Sequence, residues 1–224
     1  MRVQVWNCQG AGSPLTIPQL REVNNLFSPS LVFLSETKNR TRYLEKVKNI
    51  LRFEEMVVVE AMHKAGGMAL FWKDEVKILE VLMTSFTIEA HVEDMEANTD
   101  WWFIGIYASC DHQIRKEQWK VLANRKRLWG DRWMIAGDFN DLVSNDEKWG
   151  GIRREEKSFH DFRDFINCWI LDLLVIRGLG ATIGRKREKS NKGWIEVFAP
   201  TPGFRCLIRS IAGILILMPR IIAS

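Results

Sequence analysis

Between residues 56 and 108 the chain carries five β-type runs in succession, at 56–61, 68–72, 76–82, 86–93 and 101–108. Each is bounded by turn formers or charged residues, and no helical period separates them. A parallel doubly wound sheet needs a crossover, usually a helix, between neighbouring strands, so this block argues against it and for hairpin-like pairing. Around the block the elements alternate. Residues 2–6 alternate as a strand does, and 16–26 place Ile17, Leu20, Val23 and Leu26 on one helix face with Pro18 near the first turn. The continuous apolar run 31–34 suits a strand buried on both faces. A basic amphipathic helix at 42–51, a charged helix at 113–129, a short buried strand at 133–136 and a helix at 159–170 complete the pattern. The order predicts an α/β (α+β-like) fold with two packed mixed sheets and helices outside.

Length and composition add bounds. The 224 residues make one domain, or one domain plus a fragment, and 46% hydrophobic content excludes a disordered chain. A net charge of +4 is compatible with an anionic partner without demanding one. Most of the ten Trp are expected in the core. Cys8, Cys110, Cys168 and Cys206 form no CxxC pair, which argues against a zinc framework and for buried free thiols in a reducing compartment. The first residues hold no apolar run of signal-peptide length. The lipid-like stretch 211–218 lies between Arg209 and Arg220 and falls far short of the roughly 20 residues of a membrane span. The expectation is an intracellular protein, nuclear or cytoplasmic, neither secreted nor membrane-bound.

Three polar clusters follow buried strands directly: Asn7, Glu36, and Asp138 with Asn140. Ligand sites of α/β proteins lie off the carboxyl ends of strands. Two carboxylates and an amide are hard oxygen donors, suited to Mg²⁺, Mn²⁺ or Ca²⁺ and not to zinc. Local roles compete with this reading: Asn7 as a turn residue, Tyr107 as a core aromatic, Asp138 as an Asx-turn or helix cap. The basic side chains Lys38, Arg40, Arg42, Lys46 and Lys48 suit either a DNA-backbone groove or a solvated helix face. Arg153-Arg154 and Arg185-Lys186-Arg187 carry the same two readings.

Four segments stand in a telling order: Val5-Trp6-Asn7-Cys8-Gln9-Gly10, Leu34-Ser35-Glu36-Thr37-Lys38, Gly105-Ile106-Tyr107 and Ile135-Ala136-Gly137-Asp138-Phe139-Asn140. Over about residues 1–182 the chain resembles the endonuclease/exonuclease/phosphatase superfamily, the DNase I-like fold. Gly66-Gly67 before a strand and Asp146-Glu147-Lys148-Trp149-Gly150-Gly151 make it most similar to the endonuclease domain of plant LINE-type, non-LTR retrotransposons. The resemblance implies a four-layer sandwich and a Mg²⁺- or Mn²⁺-dependent phosphodiesterase that contacts DNA mostly through backbone phosphates. It implies Glu36 as principal metal ligand, and Asn7 as the amide that helps hold the metal or the scissile phosphate. Tyr107 is implied as a phosphate contact, Asp138 as the carboxylate that orients or deprotonates water, and Asn140 as a donor to the phosphoryl oxygens. Lys38, Arg40 and Arg42 are the expected nucleic-acid contacts. A phosphatase acting on another phosphate ester, and a non-catalytic nucleic-acid- or protein-binding relic, are the alternatives.

The resemblance also defines what is missing. The superfamily pattern continues with a Thr-Trp pair, a Leu-Asp-Arg triplet and a late Ser-Asp-His. Here Ala181-Thr182-Ile183 keeps only the Thr, and the last histidine of the chain is His160. His63, His91, His112 and His160 read as surface or core residues. Glu196 is the last acidic residue, and the stretch beyond it has no clear period. Moving the codons of Leu217-Met218-Pro219-Arg220-Ile221-Ile222 by one nucleotide permits Ala-Ser-Asp-His. The organisation expected is therefore a domain over 1–195 and an aberrant, frame-shifted tail over 196–224. That tail is expected to leave the fold incomplete, with no reason to complete the second sheet. The chain then reads as a retrotransposon-derived copy with impaired or no activity.

Overall fold

The computed structural model describes residues 1–62, 65–95, 98–147, 152–170, 173–177, 194–198, 205–209 and 214–219, the last four segments and 168–170 as backbone. The first half runs β1 (Arg2–Asn7), α1 (Thr16–Phe27), β2 (Leu31–Ser35), α2 (Thr41–Leu51), β3 (Glu55–Val59) and β4 (Met68–Trp72). Then come β5 (Lys77–Met83), β6 (Thr87–Asp94), β7 (Thr99–Tyr107), α3 (His112–Arg125), β8 (Trp133–Asp138) and α4 (His160–Ile170). Four short strands end the chain: β9 (Leu173–Arg177), β10 (Trp194–Phe198), β11 (Arg205–Arg209) and β12 (Ile214–Pro219).

The strands form two six-stranded mixed sheets, ordered β10-β11-β1-β2-β4-β3 and β5-β6-β7-β8-β12-β9. In the first, β1 runs parallel to β2 and β11 while the remaining neighbours are antiparallel. In the second, β7 and β8 are the parallel pair. The block 56–108 supplies β3 to β7 without an intervening helix, as its pattern predicts.

Strand periodicity explains the layering. Alternate residues of β1 point to opposite faces. Val3 and Val5 join Leu31, Phe33, Leu70, Ile88, Ala90, Phe103, Met134 and Ala136 in the core between the sheets. Trp6, Val32, Leu34, Ala69 and Phe71 turn outward against Leu20 and Val23 of α1 and Leu44, Val47 and Leu51 of α2. On the far side, Trp102, Ile104, Ile106, Trp133 and Ile135 pack with Trp119 and Leu122 of α3 and Phe162, Phe165 and Ile166 of α4. The result is helix, sheet, sheet, helix: the expected DNase I-like α/β sandwich. Trp6, Trp72, Trp102, Trp119, Trp129 and Trp133 are buried, in line with the expectation for tryptophan.

Two expectations need correction. Cys8 is a buried free thiol, but Cys110 is free and exposed, because it sits in the loop after β7 and not in a sheet. The tail also enters both sheets. β11 pairs parallel with β1, and β12 pairs antiparallel with β8 and β9. Strand pairing needs only backbone donors and acceptors, so a run such as 214–218 of Ile, Leu and Met can pair without any alternation. Among the described residues no helix is long and apolar enough to cross a membrane.

Candidate active site

The site lies where strands of both sheets end. Asn7 is the last residue of β1 and pairs in register with Ser35, the last of β2, so Glu36 begins the next loop. Tyr107 ends β7 and pairs with Asp138, the last residue of β8. The two sheets meet here through side chains. Asn7 Nδ2 donates to Asp138 Oδ2 at 2.5 Å, buried, while Asn7 Oδ1 accepts from the Gln9 backbone N–H at 3.1 Å. Asp138 Oδ1 accepts from the Asn140 backbone N–H at 2.8 Å, an Asx-turn that allows Asn140 a φ of 48°. Asn140 Nδ2 donates to the Ala108 carbonyl at 2.8 Å, and Ala108 N–H donates to the Asp138 carbonyl at 2.8 Å. The Asx-turn role weighed for Asp138 is thus real, and it coexists with the link to Asn7.

The electrostatics follow from burial. Desolvation raises the Asp138 pKa; the hydrogen bonds from Asn140 N–H and Asn7 pull it down, and the Glu36 charge pushes it up. Tyr107 is pushed up to about 12, first by burial, then by the charges of Glu36, Cys110 and Asp138, with a hydrogen bond from Asn140 acting the other way. The Cys8 thiol is pushed up to about 12 by burial and secondarily by Glu36, so it stays protonated and inert. These couplings put Glu36, Asp138, Asn140 and Tyr107 in one electrostatic neighbourhood.

Glu36 is held in an unusual backbone. It has a φ of 53° and Lys38 a φ of 54°. Four backbone bonds secure the loop: Gly10 N–H to Glu36 O, Ala11 N–H to Thr37 O, Thr37 N–H to Gly67 O and Lys38 N–H to Gly66 O, at 2.8–3.1 Å. Gly67 has a φ of 86°, and a Cβ there would stand 2.5 Å from Thr37 Oγ1. Gly66-Gly67 is therefore a support for the Glu36 loop. Such clustered left-handed residues persist only where the surroundings over-determine them.

The donor set suits a hard divalent cation. Glu36 and Asp138 supply carboxylate oxygens that repel each other when no cation lies between them, and Asn7 adds an amide oxygen. Among the described residues no three His, Cys, Asp or Glu side chains converge on a point. Mg²⁺ asks for less, since it takes one or two carboxylates and keeps several waters.

Lys38, Arg40 and Arg42 line a cavity of about 600 Å³ beside the cluster, with Asn39, Tyr43, Lys46 and Ala61. The described histidines have other partners or face solvent. His91 stacks on Trp102 with 4.7 Å between ring centroids and bonds Asp100, and His112 faces Asp161 at 3.3 Å. His160 is exposed at the start of α4. His63, Thr182, residues 148–151 of the Asp146–Gly151 motif and the basic triplet 185–187 lie outside the described residues.

Sequence reasoning missed Asp141. Its buried carboxylate accepts from Arg115 Nε and Arg154 Nη1, each at 2.9 Å. Arg115 Nη1 also donates to the carbonyls of Ser109 and Cys110 at 2.9 and 3.0 Å. Arg154, read from sequence as groove or solvated face, belongs to this clamp. The only local signal was Asp141's place directly after Asn140.

The fold is shared with solved structures. The fold is similar to an AP endonuclease from Archaeoglobus fulgidus, at 14% identity and TM-score 0.62, covering 97% of this chain and 86% of that one. It is also similar to D. rerio TDP2 complexed with a single-strand DNA product, at 16% identity and TM-score 0.58, covering 98% and 84%. A 3'-5' exonuclease (NExo) from Neisseria meningitidis matches at 15% identity and TM-score 0.55, covering 77% and 72%. No curated protein matches the chain by sequence. The model of the endonuclease/exonuclease/phosphatase family matches residues 5–193, and the chain belongs to that family.

Proposed function

We propose that this chain is a divalent-metal-dependent phosphodiesterase domain of DNA endonuclease type, in a copy whose turnover is impaired or absent. The family and its structural neighbours support a nuclease or phosphodiesterase domain, and the family commonly uses Mg²⁺. The observation that carries the reading is the buried Asn7–Asp138 bond beside Glu36, which gathers hard oxygen donors at the carboxyl ends of both sheets.

In this reading Glu36 is the main metal ligand, with Asn7 beside it. A cation bound there neutralises charge on the phosphate oxygens and the leaving group. Asp138 orients and deprotonates the attacking water, and its raised pKa makes it a better base than an ordinary aspartate. Tyr107 keeps its proton at neutral pH and donates to a phosphoryl oxygen. Asn140 bonds the Ala108 carbonyl with one amide hydrogen and the Tyr107 hydroxyl with the other, and that second hydrogen turns to the phosphoryl oxygens when Tyr107 engages them. Lys38, Arg40 and Arg42 hold backbone phosphates of DNA.

The missing element supports the second half of the proposal. The aberrant stretch 196–224 carries no histidine, and among the described residues none of His91, His112 and His160 is bonded to the cluster. Loss of one acid–base group costs about 10²–10⁴-fold. A tail frame-shifted from about residue 196, in a retrotransposon-derived copy of plant LINE type, accounts for that loss. The test is nicking of supercoiled plasmid with Mg²⁺ and with EDTA. The chain as it stands should nick near background, and a version with the neighbouring frame restored after residue 197 should gain about 10²-fold or more. Robust Mg²⁺-dependent nicking by the chain itself, abolished by Asp138→Ala, would overturn the impaired half and keep the phosphodiesterase half.

A further inference from the structure

One cation stands between the carboxylate cluster and the basic cavity. Lys38 Nζ lies 2.8 Å from Glu36 Oε1, and the same side chain lines the cavity. Its side chain is 35% exposed against 20% for Glu36, so it has room to turn while the carboxylate stays in place. The cavity's other cations are Arg40, Arg42 and Lys46. Among the described residues, neither Arg42 nor Lys46 has an ion-pair partner. Arg40 acts on Glu60, whose carboxylate is engaged by the Thr41 N–H and hydroxyl at 3.0 and 2.7 Å. Arg42 and Lys46 are four residues apart on α2 and so share a face, about 5–6 Å apart. A row of cations, with more charge than its own carboxylates offset, suits a polyanion better than a single ion.

We infer that Lys38 is a switchable counter-ion that couples metal binding at Glu36 to binding of a polynucleotide's phosphates in the cavity of Lys38, Arg40, Arg42 and Lys46. The inference rests on the metal reading proposed above. Without a metal, the Lys38 ammonium neutralises Glu36 and is withheld from the cavity. A divalent cation at Glu36 repels that ammonium and turns it to the cavity, where it adds a fourth positive charge. A phosphate strand in the cavity draws Lys38 away and frees the Glu36 oxygen for the metal. Linkage makes the two effects equal. The device loads metal and substrate together and disfavours either alone.

Two measurements on the full chain test this, both independent of turnover. Calorimetry reads Ca²⁺ binding alone. Fluorescence anisotropy of a labelled single-stranded oligothymidylate, with Ca²⁺ or EDTA at constant ionic strength, reads the coupling. Ca²⁺ should tighten oligonucleotide binding about 5-fold or more in the parent. Lys38→Met should bind Ca²⁺ more tightly by itself and lose the coupling, while Lys38→Arg should retain it. Arg42→Ala with Lys46→Ala should weaken oligonucleotide binding in both conditions and flatten its salt dependence. Absence of coupling in the parent, or full coupling in Lys38→Met, overturns the inference while leaving the metal site standing. Failure of the parent to bind any Ca²⁺ overturns the metal reading and this inference together. If inorganic phosphate reproduces the whole effect, the cavity is a small-anion site and the polynucleotide assignment is wrong.

Discussion

Asn7 and Asp138, 131 residues apart, share a buried hydrogen bond that joins the end of β1 in one sheet to the end of β8 in the other. The bond lowers the Asp138 pKa against the stronger upward push of desolvation. Asn7→Ala should therefore raise the Asp138 pKa further, readable by carboxyl-carbon NMR. It should also destabilise the fold by about 1–3 kcal/mol, the cost of leaving a buried acceptor short of a partner, measured by urea unfolding. An unmoved Asp138 titration would show that the bond does not hold in solution.

The raised Asp138 pKa has a definite pH signature. The folded state binds its proton more tightly than the unfolded chain does, so the group's contribution is fully present below the unfolded value near 3.8. It is lost as pH rises through the higher folded value. Thermal scans of the parent and Asp138→Asn should show their difference moving in the variant's favour as pH rises through that window, then levelling off. Added Mg²⁺, held mainly by Glu36, should raise the midpoint of both the parent and the variant. A difference that stays constant with pH would count against the shift.

Asp141 is the place where a single change should do the most damage. Asp141→Ala leaves Arg115, whose side chain is 4% exposed, as an uncompensated buried charge. The expected loss is about 3–5 kcal/mol by urea unfolding. Asp141→Asn, which keeps the shape and an acceptor, should lose less. Equal losses from the two variants would argue that packing, not charge, holds this clamp.

Gly67→Ala forces a side chain into a φ of 86° and against Thr37 Oγ1. Strain of this kind costs about 1–3 kcal/mol. Because Gly67 O and Gly66 O receive the Thr37 and Lys38 N–H groups, the loop bearing Glu36 should shift, and Mn²⁺ affinity by calorimetry should fall along with stability. Gly130→Ala, also at positive φ but with nothing within 4 Å, is the control: it should lose stability alone.

The helix and strand periods were open to direct reading because they are local. Amphipathic spacing placed α1 and α2 within about a residue or two of their ends, and the uninterrupted block 56–108 required antiparallel hairpins. The polar residues at the ends of β1, β2 and β8 were likewise visible, since a buried strand must give way to a loop where its apolar run stops. Tertiary structure alone decided the remainder. No spacing shows that Asn7 meets Asp138, that Arg154 turns inward to Asp141, or that Lys38 sits between Glu36 and a basic cavity. Nor does the unpatterned tail show where it pairs. β12 lies between β8 and β9, pairing antiparallel with both, and those partner strands come from far away in the chain.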